Sequence, residues 1–88
     1  MKILNQKRLG KNIARIRENC GLTQEEVVAQ IQLLGSPLSR DGYANIETGR
    51  GNIFDSDLVG LQRIFQVPYE RFFEGIETFR PGRNSDVE

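Results

Sequence analysis

Apolar residues recur every three or four positions through most of this 88-residue chain, which is the spacing of amphipathic helices rather than of strands. The first such segment is expected to end at Gly21, because glycine readily adopts the left-handed conformation that closes many helices. Its apolar face consists of Leu9, Ile13 and Ile16. The pattern therefore predicts an all-α fold that opens with one amphipathic helix.

A second helix is predicted to begin at Thr23 and to run to Gly35. In Thr23-Gln24-Glu25-Glu26 the threonine hydroxyl can cap the helix while Glu26 reaches back, which is the reciprocal capping box. Ser36-Pro37 must break the helix, since a residue before proline avoids the helical region. The apolar stripe of this helix is Val27, Val28, Ile31 and Leu34.

A third, short helix is predicted from Arg40 to Thr48, with Ser39 as its N-cap and Gly49 at its end. Only Tyr43 and Ile46 supply an apolar stripe, so most of the helix surface must face outward. This helix is too polar to serve the core alone, which makes it the first candidate for a functional element.

The remaining apolar positions predict a fourth helix that begins at Asp55 or Ser56 and a last turn or two that Gly75 stops. Val67-Pro68 separates the two segments. The inward positions of the fourth helix are Leu58, Leu61, Ile64 and Phe65. Most of the late aromatic residues are expected in the core, because a small domain needs them: Phe54, Phe65, Tyr69, Phe72, Phe73 and Phe79.

Five short helices in one chain of this length predict a single all-α domain over residues 1–75, with room for one core. Residues 76–88 are polar and include Pro81-Gly82, so a disordered tail is expected there. No apolar run approaches membrane-spanning length, and the first residues lack the apolar stretch of a signal peptide. With Cys20 as its single cysteine, the chain is expected to be a reduced, cytoplasmic protein.

The formal net charge is zero, but the charges are unevenly distributed. Residues 1–50 carry eight Lys and Arg against five Asp and Glu, whereas residues 51–88 carry four against seven. Six cations precede the first acid, Glu18. Such an asymmetry can orient a protein on a polyanion, although a solvated helix face produces the same pattern.

In their order, these features resemble the helix-turn-helix family of phage repressor and Cro proteins (the XRE family), over about Leu9 to Gly75. That family combines a first-helix arginine with a Gly-hydrophobic-Thr-Gln-Glu-Glu start and a third helix ending in Ile-Glu-x-Gly. Here the corresponding residues are Arg17, Gly21 to Glu26, and Ile46-Glu47-Thr48-Gly49. The resemblance implies a five-helix, lambda-repressor-like domain with a central helix-turn-helix. The stretch from Gln32 to Ser39 is about five residues longer than the commonest family pattern, as in a subgroup with a lengthened second helix or turn.

In the helix-turn-helix mode, the third helix lies in the major groove and its N-terminal residues face base edges. With Tyr43 and Ile46 inward, the residues pointing outward are Arg40, Asp41, Gly42 and Asn45, which match the family's base-contacting positions. Arg40 can pair bidentately with guanine, Asn45 with adenine, and Asp41 can accept from cytosine. Gly42 either permits close approach to the DNA or is a tolerated helix defect.

The resemblance also implies backbone contacts and one structural ion pair. Gln24 corresponds to the family's phosphate-clamping glutamine, and Arg50 lies in the loop that often touches phosphates. Thr23 and Ser39 are helix caps that become further candidates for phosphate contacts. Arg17 and Glu47 are expected to pair, joining the first helix to the end of the third.

The resulting hypothesis is a bacterial or phage-derived, sequence-specific regulator that binds double-stranded DNA as a homodimer, without a cofactor, small-molecule substrate or membrane. An enzyme is disfavoured, because the chain has no histidine, no Gly-rich phosphate loop and no nucleophile with a candidate base. The alternative is a protein-binding module on the same fold, antitoxin-like or an anti-regulator, favoured by the zero net charge and the late aromatic residues.

Overall fold

The computed structural model describes residues 7–76, which form four α-helices and one short 3₁₀ helix. In chain order these are α1 (Lys7–Asn19), α2 (Gln24–Leu33), α3 (Arg40–Thr48), α4 (Asp55–Phe65) and the 3₁₀ helix (Tyr69–Phe73). The all-α class is confirmed, and the described residues contain no strand. The fifth segment is not an α-helix: it begins after Pro68, spans five residues and ends before Gly75, which has a positive φ of 79°.

The starts of α2 and α3 and the end of α3 follow from the caps that the sequence predicted. Thr23 Oγ accepts from the Glu26 N–H, and Glu26 accepts from the Thr23 N–H at 2.8 Å, which confirms the capping box at the start of α2. Ser39 caps α3 by accepting from the Gly42 N–H at 3.0 Å. Gly49 ends α3 with a left-handed φ of 81°.

The core lies between α1, α2, α3 and α4, and the 3₁₀ helix closes one side of it. Its buried side chains include every predicted apolar position of α1 and both of α3. They are Leu9, Ile13, Ile16, Val27, Val28, Ile31, Tyr43, Ile46, Ile53, Leu58, Leu61, Phe65 and Phe72. Ile64 is only partly buried against this cluster.

Two predictions about the core are wrong. Leu34 does not continue the apolar stripe of α2, because the helix ends at Leu33 and leaves Leu34 half-exposed in the C-cap position. Nor are most of the late aromatic residues buried: Phe65 and Phe72 are, whereas Phe54, Tyr69 and Phe73 are exposed. The short 3₁₀ helix presents only Phe72 inward, so its other aromatic residues face out. Phe79 lies outside the described residues.

The helices α1 and α3 approach one another at Gly10, which allows direct backbone contact. A Cβ atom at Gly10 would stand 2.8 Å from the carbonyl oxygen of Glu47 and would clash with that of Ile46. Any side chain there would separate the two helices. This close packing sets the position of α3, and therefore of its exposed face, relative to α1.

The lengthened connection between α2 and α3 is an ordered turn of six residues, 34–39. Gly35 adopts a φ of 99°, and the Ser36 N–H donates to the Ile31 carbonyl at 3.2 Å. The Gln32 side chain donates to the Leu38 carbonyl at 2.9 Å, which ties the end of α2 to the residue before the α3 cap. The extra residues are therefore part of the turn and hold α3 in place.

The 3₁₀ helix is attached to α1 by a buried asparagine. Asn12 Nδ2 donates to the carbonyl oxygens of Phe72 at 2.8 Å and Glu74 at 2.9 Å. Ile76, the first residue of the predicted tail, is half-buried and packs against the core. Residues 77–88, the rest of that tail, lie outside the described residues. Across the part of the chain that is described, no helix has the length and apolarity needed to cross a bilayer.

Candidate nucleic-acid interface

Three of the four candidate base-contacting residues lie on the outer side of α3. Tyr43 and Ile46 face the core and are fully buried, while Arg40, Asp41 and Asn45 are exposed. Gly42 is partly buried. The first two turns of α3 therefore present one cation, one anion and one amide to solvent.

Gly42 has a steric role that neither of the two sequence-based interpretations anticipated. A Cβ atom there would lie 3.2 Å from both Leu38 Cδ1 and the Ser39 hydroxyl oxygen. The missing side chain thus leaves room for the turn and for the cap at the start of α3. Its position faces the protein as much as the solvent.

Arg40 is held by two residues of the first turn of α2. Its Nη1 donates to Glu25 Oε2 at 2.7 Å, and its Nε donates to Gln24 Oε1 at 3.4 Å. The side chains of Arg40 and Glu25 are 50% and 65% exposed, so both remain accessible. The helical period predicted that Arg40 is exposed, but no sequence pattern indicated this ion pair.

Gln24 connects that exposed pair to a buried one. While its amide oxygen accepts from Arg40, its Nε2 donates to Glu47 Oε1 at 2.8 Å. Both ends of the side-chain amide are therefore engaged, and Gln24 acts as a bridge between α2 and both ends of α3. A phosphate at this position would be met by a glutamine whose orientation is already set.

Glu47 and Arg17 form the buried end of the network. Arg17 Nε donates to Glu47 Oε2 at 2.7 Å and Nη2 donates to Oε1 at 3.2 Å, a bidentate arrangement. Arg17 Nη1 also donates to the Leu22 carbonyl at 2.9 Å. The Glu47 side chain is only 6% exposed and that of Arg17 14%, so the pair joins α1, α3 and the turn before α2 in largely dry surroundings.

The electrostatics of this pair favour the charged state of both members. Burial alone would raise the pKa of Glu47, but the hydrogen bonds from Arg17 and Gln24 outweigh it and lower that pKa below the usual range. The hydrogen bond to Glu47 raises the pKa of Arg17. The Tyr43 hydroxyl is buried beside them without a well-aligned hydrogen-bond partner within residues 7–76, and burial together with the Glu47 charge raises its pKa.

The remaining phosphate candidates are placed around this network. Thr23 and Ser39 are exposed, and each hydroxyl oxygen accepts the capping hydrogen bond, which leaves the hydroxyl hydrogen free to donate. Arg50 follows the Gly49 cap and is exposed. All three therefore have donors accessible to an anion.

Lys7 is a neighbour of Arg50 that sequence reasoning did not assign to the site. A Cβ atom on Gly49 would lie 2.6 Å from Lys7 Cγ, so the first residue of α1 packs directly against the cap before Arg50. The structure thus places the Lys7 backbone and the base of its side chain at the C-terminal end of α3, one residue before Arg50. The only sequence signal was the group of cations ahead of Glu18, which does not say where the side chains meet.

Comparison with models of protein families gives no match, and neither does comparison with curated proteins. Among the described residues, no group of three His, Cys, Asp or Glu is placed to hold a metal ion.

Proposed function

We propose that this chain is a sequence-specific, DNA-binding transcriptional regulator, repressor-like in its mode, that reads duplex DNA through α3. The observation that carries the proposal is the exposed face of α3, where Arg40, Asp41 and Asn45 face solvent and Arg40 contacts the first turn of α2. Free N–H groups at a helix start favour a phosphate, and side chains of these three types recognise base edges in the major groove.

The proposal includes membership of the repressor and Cro helix-turn-helix family, with a five-helix, lambda-repressor-like arrangement. It is supported by the order of the helices, by the caps at Thr23, Ser39 and Gly49, and by the contact between Arg17 and Glu47. The six-residue turn between α2 and α3 is longer than the usual three or four residues of this motif.

We further propose that the protein acts in the cytoplasm as a homodimer on an operator of two half-sites, without a cofactor. Two-fold symmetric proteins of this type read pseudo-palindromic sites whose halves are about one DNA turn apart. Exposed apolar side chains on the described surface, such as Phe54, Tyr69 and Phe73, supply contact area for a second copy.

The deciding experiment is selection of binding sites from random double-stranded oligonucleotides, followed by the same selection with Arg40→Ala. We expect the wild type to enrich a palindromic motif, and the variant to lose preference at one base pair of each half-site. A folded wild-type protein that enriches no motif at low salt would refute the DNA-binding proposal.

A second candidate function, binding to another protein, is favoured by an apolar surface away from the first turn of α3. Leu33 is 86% exposed, and Leu34 and Val59 are exposed as well. Leu34 separates two surface cavities of about 270 Å³ and 340 Å³, both bordered by Arg63 of α4. Apolar patches with polar rims are typical of protein interfaces, so this function gains support if site selection fails.

A further inference from the structure

We infer that Glu25 is a specificity-determining residue, which restrains Arg40 so that it contributes to guanine recognition but little to phosphate binding. This inference rests on the proposed DNA-binding function and extends it to a residue outside α3. It starts from the 2.7 Å ion pair between Arg40 Nη1 and Glu25 Oε2, which crosses from α3 to the first turn of α2.

The geometry leaves part of the guanidinium available. A guanidinium has five N–H donors, of which Glu25 takes one and Gln24 another through Nε. The donors of Nη2 and the second hydrogen of Nη1 have no partner among the described residues. These remaining N–H groups can donate to the two acceptors, O6 and N7, that guanine presents in the major groove.

The two possible DNA partners of Arg40 differ in charge. Guanine acceptors are neutral, so they can bind the free edge of the guanidinium while the carboxylate of Glu25 stays in place. A phosphate carries a negative charge and must displace the carboxylate or lie against it, which like-charge repulsion opposes. The ion pair therefore weakens phosphate contacts by Arg40 more than it weakens base contacts.

Gln24 fixes the orientation in which the Arg40 side chain is restrained. Its amide is fixed by donation to the buried Glu47, and its oxygen then receives Arg40 Nε. Arg40 is thus held between the fixed amide of Gln24 and the exposed carboxylate of Glu25, which restricts the orientations of its guanidinium. A restrained arginine contributes less to sequence-independent binding, which depends on neutralised phosphates and released counterions.

The test compares Glu25→Gln with wild type on the selected operator and on random-sequence duplex of equal length, over a series of salt concentrations. The matched control is Glu70→Gln, which removes the same charge from an exposed residue without an ion pair in the described part of the chain. We expect Glu25→Gln to bind random-sequence DNA about two- to fivefold more tightly, the range that release of one exposed ion pair supports.

Glu25→Gln should also change how strongly DNA binding depends on salt. For random-sequence DNA, the slope of log affinity against log salt should steepen by about 0.9, the value of one added phosphate contact. Operator affinity should change less, so the ratio of operator to random affinity falls. Glu70→Gln should leave both the slope and this ratio as in wild type.

The same comparison in the Arg40→Ala background separates restraint of Arg40 from direct repulsion between the Glu25 carboxylate and DNA phosphates. If Glu25 acts through Arg40, Glu25→Gln has no effect on the ratio once Arg40 is absent. An equal effect in both backgrounds, or an unchanged ratio in the single variant, would overturn the inference while leaving DNA binding intact. If the folded wild type binds neither duplex, the proposed function and this inference fail together; thermal melting by circular dichroism verifies folding of each variant.

Discussion

At the scale of single residues, the Glu47 carboxylate joins three helices through hydrogen bonds. It accepts from Arg17 of α1 and from Gln24 of α2 while it belongs to α3. A carboxylate this deeply buried is tolerated only because its lone pairs are satisfied. Its environment is therefore structural, and Gln24, which it orients, in turn accepts a hydrogen bond from Arg40 on the exposed face.

Loss of Arg17 should destabilise the fold more than loss of the whole pair. In Arg17→Met the Glu47 carboxylate remains buried without its cation, which costs about 3 kcal/mol or more of the free energy of unfolding. In the double variant Arg17→Met/Glu47→Leu, no charge is left buried and much of that loss should be recovered. Urea denaturation measures the free energy of unfolding of each variant. A double variant whose loss of stability equals the sum of the losses in the two single variants would contradict this account.

The pH dependence of stability follows from the lowered pKa of Glu47. Because the folded-state pKa lies below that of the unfolded chain, about 4.3, the carboxylate stabilises the fold at higher pH. This contribution is lost as the pH falls from that value through the folded pKa. Urea denaturation at pH 7, 5 and 3.5 should therefore show an acid-induced loss that is smaller in Glu47→Gln than in wild type.

At the scale of elements, the glycine that ends α3 has a second function that the sequence did not reveal. Gly49 was predicted as a C-cap from its position, and its φ of 81° agrees with that. The structure adds that Lys7, at the start of α1, packs where a side chain would be. One residue thus ends one helix and accommodates the start of another.

Gly21 provides the matched control for this double role. It also has a positive φ, 74°, but no atom lies within 4 Å of where its Cβ would be. Gly21→Ala should cost about 1–2 kcal/mol for the left-handed backbone alone. Gly49→Ala should cost about 1–3 kcal/mol more, because Lys7 must also move. If chemical denaturation gives the two variants the same free energy of unfolding, the Lys7 contact contributes nothing to stability.

At the scale of the whole molecule, Asn12 attaches the last described segment to the first helix. Its two hydrogen bonds, to the carbonyls of Phe72 and Glu74, span about sixty residues of sequence. Together with the buried Phe72 ring, they keep the 3₁₀ helix against α1. The sequence does not indicate this role of Asn12, because its partners are backbone oxygens, which every residue has.

Asn12→Ala should release this attachment. Two buried or partly buried carbonyls lose their donor, which costs about 1–3 kcal/mol of the free energy of unfolding. Hydrogen exchange in residues 69–76 should accelerate more than exchange in α2. Lys11→Ala, at the exposed neighbouring position, is the control and should change stability by no more than about 0.5 kcal/mol. Equal exchange in both variants would argue against the attachment.

Local sequence by itself determined the start of α2, both ends of α3 and the outward face of α3. The Thr23 and Ser39 caps and the Gly49 terminus are decided within four residues of chain, so the pattern of residues predicted them correctly. The burial of Tyr43 and Ile46 follows from the helical period alone, which already placed Arg40 on the surface.

Only the tertiary structure decided which exposed residues meet. The Glu25–Arg40 pair, the bridge through Gln24 and the contact of Lys7 with Gly49 depend on how α1, α2 and α3 are oriented. The outward positions of Phe54, Tyr69 and Phe73 likewise depend on packing, because hydrophobicity alone does not say which side of a short helix finds a partner. Local propensity acts along the chain, whereas these contacts join residues about 15 to 42 positions apart. That distance in sequence is why the outward face of α3 could be predicted, while the restraint on its principal arginine could not.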